Sequence, residues 1–415
     1  MLWLTLTFAH AFCGNYVGPV DSTPENGASR IVMAHQGDRT IVTMTSNALD
    51  APIAFGMLMP VPADLTVDAI EARDDLDAAW VLLDEYTAPR IVSYTCDSLR
   101  ASNDFIGGGS SSGCNGGCVY QETALSAGQS YGEALLEAQV EVLGVSTSGV
   151  YELTLLDAVE ASGLQAWLGA NGFGTVPGAD ALLQQYIDEG VNFLAARVVL
   201  PGSTDEAWLQ PLRITYPSRT ESLPLRLGAL NATGDQELTV WVIDDADAGE
   251  AQVLSFSEIE VEAECMPAAG EEVPDTLDEA IEDARGGDDG VALVEYSWPT
   301  LQKCDPCPIG PASDPATFLG DFGRTDDDAH ITRLRVRYDA LSLTEDLHLA
   351  STGVRTQRQI RYIEHLDELE ETFPICGEGY ASDPAGTCAD DGDDKASLPW
   401  GALLLLPLLG WRLRR

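Results

Sequence analysis

Short apolar runs separated by turn residues recur along this chain, and such runs read as strands. Arg30-Ile-Val-Met-Ala34 and Arg39-Thr-Ile-Val-Thr-Met-Thr45 flank Gln36-Gly37-Asp38, which predicts a hairpin. Ile53 to Pro62 continues in extended form, and Val140 to Val145 with Tyr151 to Leu156 predicts a second hairpin about Ser-Thr-Ser-Gly149. Further strands are expected at Asn192–Leu200, Pro211–Tyr216, Leu223–Leu230, Glu237–Ile243, Val291–Trp298, His330–Tyr338 and Ile360–His365. Helical spacing is rarer. Leu76, Trp80, Leu83 and Tyr86 share one helix face, Asp75, Asp77 and Asp84 take the other, and Ala88-Pro89 ends the run. Ser162 is expected to cap a helix reaching Ala170, stopped by Asn171-Gly172. Asp180–Glu189, a stretch near Leu277–Arg285 and a short run at Asp314–Phe322 complete the helices. The pattern predicts an α+β fold: mostly antiparallel β-sheet with several short helices. Two or three subdomains are expected: a strand-rich one over 12–150, a mixed one over 151–245 and a C-terminal one over 246–380.

The two ends break this pattern. Leu2 to Phe8 is apolar, and Ala9-His10-Ala11 has small residues where a signal peptidase cuts, so residues 1–11 are expected to be a signal peptide. The segment is short and lacks Lys or Arg ahead of its apolar run. At the other end, residues 398–415 hold 14 residues of apolar run before Arg412, Arg414 and Arg415. As a helix that run spans roughly 21 Å, against a hydrocarbon core of roughly 30 Å. It also contains Pro399 and Pro407, so it suits a processed sorting or anchor segment better than a permanent span. An acidic spacer, 381–397, precedes it. The expected location is outside the cytoplasm, at the cell envelope or surface. The expected partners are the membrane, through the C-terminal segment, and the export and sorting machinery.

Charge narrows the partners further. With 67 acidic and 22 basic residues the net charge is −45, which excludes nucleic acid because nothing would neutralise phosphates. Eleven carboxylates and one Arg lie between Glu262 and Asp289. A solvated acidic surface accounts for most of this, with divalent cations left open as partners. Asp390-Asp391-Gly392-Asp393-Asp394 lacks the alternating ligands and distal Glu of an EF-hand.

Nine cysteines in an exported chain are expected to be mostly disulfides. The odd one left over is Cys388, which sits in the spacer just before the apolar run. Cys13, Cys96, Cys114, Cys118, Cys265, Cys304, Cys307 and Cys376 remain as disulfide candidates, with the pairing open. Cys304-Asp-Pro-Cys307 is the one spacing that could carry redox chemistry. Pro308, Gly310 and Pro311 keep a helix from starting at the first thiol, which favours a structural bridge over a reactive pair. No second Cys-x-x-Cys and no paired His completes a zinc site, and no metal or cofactor is expected.

Ordered blocks of this chain resemble a known family. They include Ala11-Phe-Cys-Gly-Asn-Tyr-Val17, Phe55 to Pro62, Tyr86-Thr-Ala-Pro-Arg-Ile-Val92 and Ser162-Gly-Leu-Gln-Ala-Trp-Leu168. Leu223-Pro-Leu-Arg-Leu-Gly228, Lys303-Cys-Asp-Pro-Cys307 and Thr332-Arg-Leu-Arg-Val-Arg-Tyr338 follow in order. The family is the bacterial domain of unknown function 2330. The resemblance implies an exported bacterial protein and assigns no activity. The C-terminal segment resembles the Arg-ended sorting tags of myxobacteria, which carry a Cys close to the apolar run; that resemblance implies Cys388 as a candidate for sorting or modification. With no Gly-x-Ser-x-Gly, no His-Glu-x-x-His and no phosphate loop, a hydrolase has least support. The expected function is a non-catalytic binding or structural protein of the envelope. The alternative is a thiol–disulfide oxidoreductase using Cys304 and Cys307.

Overall fold

Side chains alternate across a strand, so each long strand here buries two different sets of residues. The computed structural model describes residues 9–10, 15–17, 25–51, 54–92, 139–174, 178–200, 204–230, 232, 234–261, 265–266, 273–304, 307–308 and 310–364. All fall in one unit, Met1–Tyr94 with Ser110–Leu366; the second unit, Thr95–Gly109 with Asp367–Arg415, lies outside them. The strands are β1 Ala9–His10, β2 Asn15–Val17, β3 Glu25–Gln36, β4 Arg39–Ala51, β5 Ala54–Val61, β6 Ile70–Ala72, β7 Arg90–Val92, β8 Val140–Ser148, β9 Tyr151–Ala158, β10 Asn192–Val199 and β11 Thr204–Trp208. They continue as β12 Leu212–Tyr216, β13 Ser222–Leu223, β14 Asp235–Asp245, β15 Ala251–Val253, β16 Ser257–Ile259, β17 Cys265–Met266, β18 Gly290–Pro299, β19 Ala329–Asp339, β20 Leu347–Ser351, β21 Arg358–Gln359 and β22 Arg361–Glu364. The helices are α1 Asp77–Thr87, α2 Ala161–Ala170, α3 Asp180–Asp188, α4 Arg226–Ala229, α5 Val273–Arg285 and α6 Ala316–Leu319.

These elements stack in four layers. An eleven-stranded sheet follows the path β16-β18-β19-β14-β3-β4-β12-β6, and a five-stranded sheet runs β2-β5-β10-β9-β8. Their facing surfaces share one core: Ile31, Met33, Val42, Leu238, Val240 and Leu334 from the large sheet meet Phe55, Met57, Met59, Leu153 and Leu194 from the small one. The outer face of the small sheet packs Leu58, Leu156 and Phe193 against Leu164, Trp167 and Leu183 of α2 and α3. The outer face of the large sheet packs Val32, Trp241 and Ile331 against Trp80 and Leu83 of α1 and Phe318 of α6. Beside them Leu277 and Ile281 of α5 cover Val291 and Leu293. A three-stranded sheet, β13-β20-β15, adds Leu223, Leu347 and Val253 to the central core. The large sheet takes strands from each of the stretches divided at 150 and 245. Most pairings are antiparallel, but β14 runs parallel to β3.

Arg333, Arg335 and Arg337 alternate on the outer face of β19, where α5 and a β-bulge supply their counter-charges. The register of β18 on β19 shifts between Val294 and Tyr296. A bulge re-aims a side chain, and here it turns Glu295 between Arg333 and Arg335. Asp278 and Glu282 of α5 reach Arg337.

Three local expectations need correcting. The cap of α2 is Glu160, and Ser162 lies inside the first turn. Leu223–Leu230 is not one strand: Pro224 cannot donate to a ladder, and the chain turns into α4. The N–H groups of Leu225 and Arg226 both donate to the Asp346 carboxylate, an anion at a helix start that no local pattern could reveal. The run Asp314–Phe322 breaks into α6 and a following 3₁₀ turn, Gly320–Phe322. Both predicted hairpins form, with Gly37 at φ 60° and Gly149 at φ 54°.

Candidate functional site

A cleft of about 580 Å³ opens where the two large sheets and the three-stranded sheet meet. Pro60, Val61 and Pro62 at the end of β5 form one apolar wall, with Val191 and Pro224 beside them. Arg226 is held in the cleft by packing and hydrogen bonds. Its guanidinium lies 4.4 Å from the Tyr186 ring centroid and donates to Asp346 Oδ2 at 2.9 Å. Asp346 in turn accepts from the Tyr186 hydroxyl at 2.8 Å and from the two N–H groups that start α4. Burial, then the Asp346 charge, pushes the Tyr186 phenol up, so it stays a donor. Glu189, on the cleft wall, shares the Arg226 guanidinium at 2.9 Å. Glu345 is exposed and pairs with no cation among the described residues. The cleft therefore offers a pre-set guanidinium, apolar walls and carboxylates in excess. Its residues come from 60–62, 186–191, 216–226 and 344–348. No sequence spacing links them.

A second polar cluster lies in the core-facing side of the large sheet. Pairing places His330 opposite Asp244. The parallel register of β3 on β14, continued past its last pair Ala34–Ile243, brings His35 to the same row. Asp244 is 1% exposed and is bound by Arg219 at 2.5 and 3.2 Å. Burial works against its charge, but Arg219 and its neighbours win and hold its carboxyl below the usual range.

Ser297 and His330 form the pair that most resembles a catalytic one, and its proton order points the wrong way. Ser297 Oγ lies 2.8 Å from His330 Nε2 and 2.7 Å from Thr356 Oγ1. Thr356 donates to Glu250 at 2.6 Å, and Glu250 is bound by Arg358 through both oxygens. A carboxylate only accepts. Thr356 therefore accepts from Ser297, and Ser297 accepts from the His330 Nε2–H. A general base must instead accept the serine proton. Ser297 and His330 are both 0% exposed.

The sequence-derived candidates are only partly in view. Cys304 and Cys307 form a disulfide, and both pack against the aromatic cluster of Trp80, Trp298, Phe318 and Phe322. Cys304 is 3% exposed. Cys265 contributes its backbone to β17 beside β22. Cys13, Cys96, Cys114, Cys118, Cys376 and Cys388, the spacer and the C-terminal segment lie outside the described residues. Among the described residues no group of three His, Cys, Asp or Glu side chains is placed to hold a metal ion. No described helix is long and apolar enough to cross a membrane.

No curated protein matches this sequence. Among solved structures, the crystal structure of baculovirus P35 is similar at 10% identity over 80% of this chain and 99% of that one, with a TM-score of 0.30. A score that low carries no argument about this chain. A family model described as an uncharacterized protein conserved in bacteria matches residues 7–350. Those residues span every layer described above, and the chain belongs to this bacterial family, domain of unknown function 2330 (DUF2330).

Proposed function

We propose that this chain is an exported, non-catalytic binding protein, held at the cell envelope by residues 398–415, with the cleft around Arg226 as its ligand site. The observation that carries the reading is the Cys304–Cys307 disulfide, closed against the core. Such bonds form and persist in oxidising compartments. The burial of Cys304 speaks against the oxidoreductase alternative, because exchange requires a thiolate to reach a sulfur and only the half-buried Cys307 is within reach. The proton order at Ser297 supports a body without an activated serine. At the cleft, Asp346 pre-orders Arg226 and α4, so a ligand meets a fixed surface and loses less freedom on binding. The carboxylates Glu189 and Glu345 suit a ligand with a positively charged group.

Export has one structural consequence. Cutting after Ala11 removes β1, which pairs only Ala9 and His10 with Gln236 and Glu237 of β14. The remaining length of β14 keeps its ladders to β3 and β19. The C-terminal segment is the proposed sorting tag, with Cys388 as the residue open to modification. Deleting Leu398 to Arg415 is expected to release the protein into the medium, read by fractionation and immunoblot. Continued retention in the envelope would defeat the anchoring part of the proposal.

A further inference from the structure

Residues 352–358 run as a strap over the ends of β18 and β19. The strap is held by Thr352 N–H to Glu250 O, Gly353 N–H to Ala248 O and Glu250 N–H to Val354 O, each at 2.8–2.9 Å. Glu250 adds its carboxylate bonds to Thr356 and Arg358, and Arg355 pairs with Asp247. The seat is tight. Gly249 has φ +70°, and a Cβ there would stand 2.3 Å from the Val354 carbonyl oxygen.

Beneath the strap lies His330. Its Nε2–H is committed to Ser297, and its Nδ1 is buried without a hydrogen-bond partner. The groups around it come from every side. Ser297 stands on β18, and Thr356, Arg355 and Arg358 on the strap; Glu250 precedes β15, and Asp244 lies on β14. Neither nearby carboxylate is idle: Glu250 binds Arg358 and Thr356, and Asp244 binds Arg219 and Ser351. A second proton on this ring would be a buried N–H with no acceptor. Burial pushes the imidazole down to about 4, with Glu250 only partly opposing it. His35 differs: its Nδ1 faces the Thr40 hydroxyl at 3.1 Å, which can accept a proton's hydrogen bond.

We propose that His330 is an acid-sensitive latch: a proton from solvent added to Nδ1 draws water under residues 352–357, and the strap lifts while β14, β18 and β19 stay paired. No covalent bond changes. The strap gives way first because it pairs with the large sheet only at its end, Arg358 with Ser297, and is otherwise held through Glu250 and its neighbours, whereas β19 is paired along its whole length to β14 and β18. The inference goes beyond the binding role and does not depend on what the cleft holds or where the chain resides.

Hydrogen exchange on the full chain tests it. Between about pH 7 and about pH 4.5, after correction for intrinsic rates, the amides of Thr352, Gly353 and Glu250 are expected to lose at least about tenfold in protection. The amides of Thr239 to Ile243 in β14 serve as the internal reference and are expected to hold theirs. His330→Gln, which stays neutral, is expected to make strap protection independent of pH. Unchanged strap protection in the wild type, an equal loss in β14, or the same pH response in H330Q would overturn the latch. Should H330Q not fold, a wild-type titration of the His330 ring by NMR decides. A depressed titration tracking strap exchange supports the latch, and an ordinary one with the strap still protected overturns it.

Discussion

Replacing Glu295 with alanine is expected to lower the unfolding free energy by about 3–5 kcal/mol, the range for removing one partner from a buried ion pair. Glu295 is 0% exposed, with its oxygens 2.5 Å from Arg333 Nε and 2.5 Å from Arg335 Nε. Burial opposes its charge, yet Arg335 and Arg333 together outweigh that and hold the carboxyl below its usual range. Without it, two mostly buried guanidiniums lose their common counter-ion. Arg333 keeps Asp84 and Arg335 keeps Asp278, which places the loss toward the lower end. Urea unfolding would show a lower midpoint at unchanged slope. The pH dependence has a definite sign. A carboxyl whose value is depressed by folding contributes its stability above the unfolded value and loses it as pH falls through the folded one. E295A should therefore lose part of the acid limb of the stability profile. A change under about 1 kcal/mol would show that the bulge does not hold a working ion pair.

Asp346→Ala is expected to cost about 3–5 kcal/mol and to disorder the cleft, because several buried donors lose their acceptor together. They are the Tyr186 hydroxyl, the Leu225 and Arg226 N–H groups and the Arg226 guanidinium. Tyr186→Phe removes one donor with its bond and should cost only about 1 kcal/mol. The comparison separates a network from a single contact. Urea midpoints measure both, and exchange of the α4 amides reports whether the helix unwinds. If D346A and Y186F cost the same, Asp346 does not organise the cleft.

What was legible in the sequence is what local spacing can carry. Short apolar runs bounded by turn residues marked β3, β4, β9 and β14, because each presents one apolar row to the central core and a second to an outer layer, as Ile31 and Val32 do. The face shared by Leu76, Trp80, Leu83 and Tyr86 is the buried face of α1. The Cys304–Cys307 spacing suited a bridge, and a bridge is there. The cleft was not legible, since it depends on Asp346 meeting α4 across 120 residues of chain. Nor was the His35–Asp244–His330 row, which needs the parallel register of β3 on β14. Glu295 read as an ordinary polar position within a strand; only the bulge gives it two arginines.

The most direct test of the account as an exported protein is one mass measurement on material isolated from the producing cell. Thiols are alkylated before any reduction, and each fraction is then analysed intact and after digestion. The account predicts envelope-fraction protein that begins near Phe12, with Cys304 and Cys307 unalkylated and joined. A chain found in the cytosolic fraction, starting at Met1 with both cysteines alkylated, would contradict it.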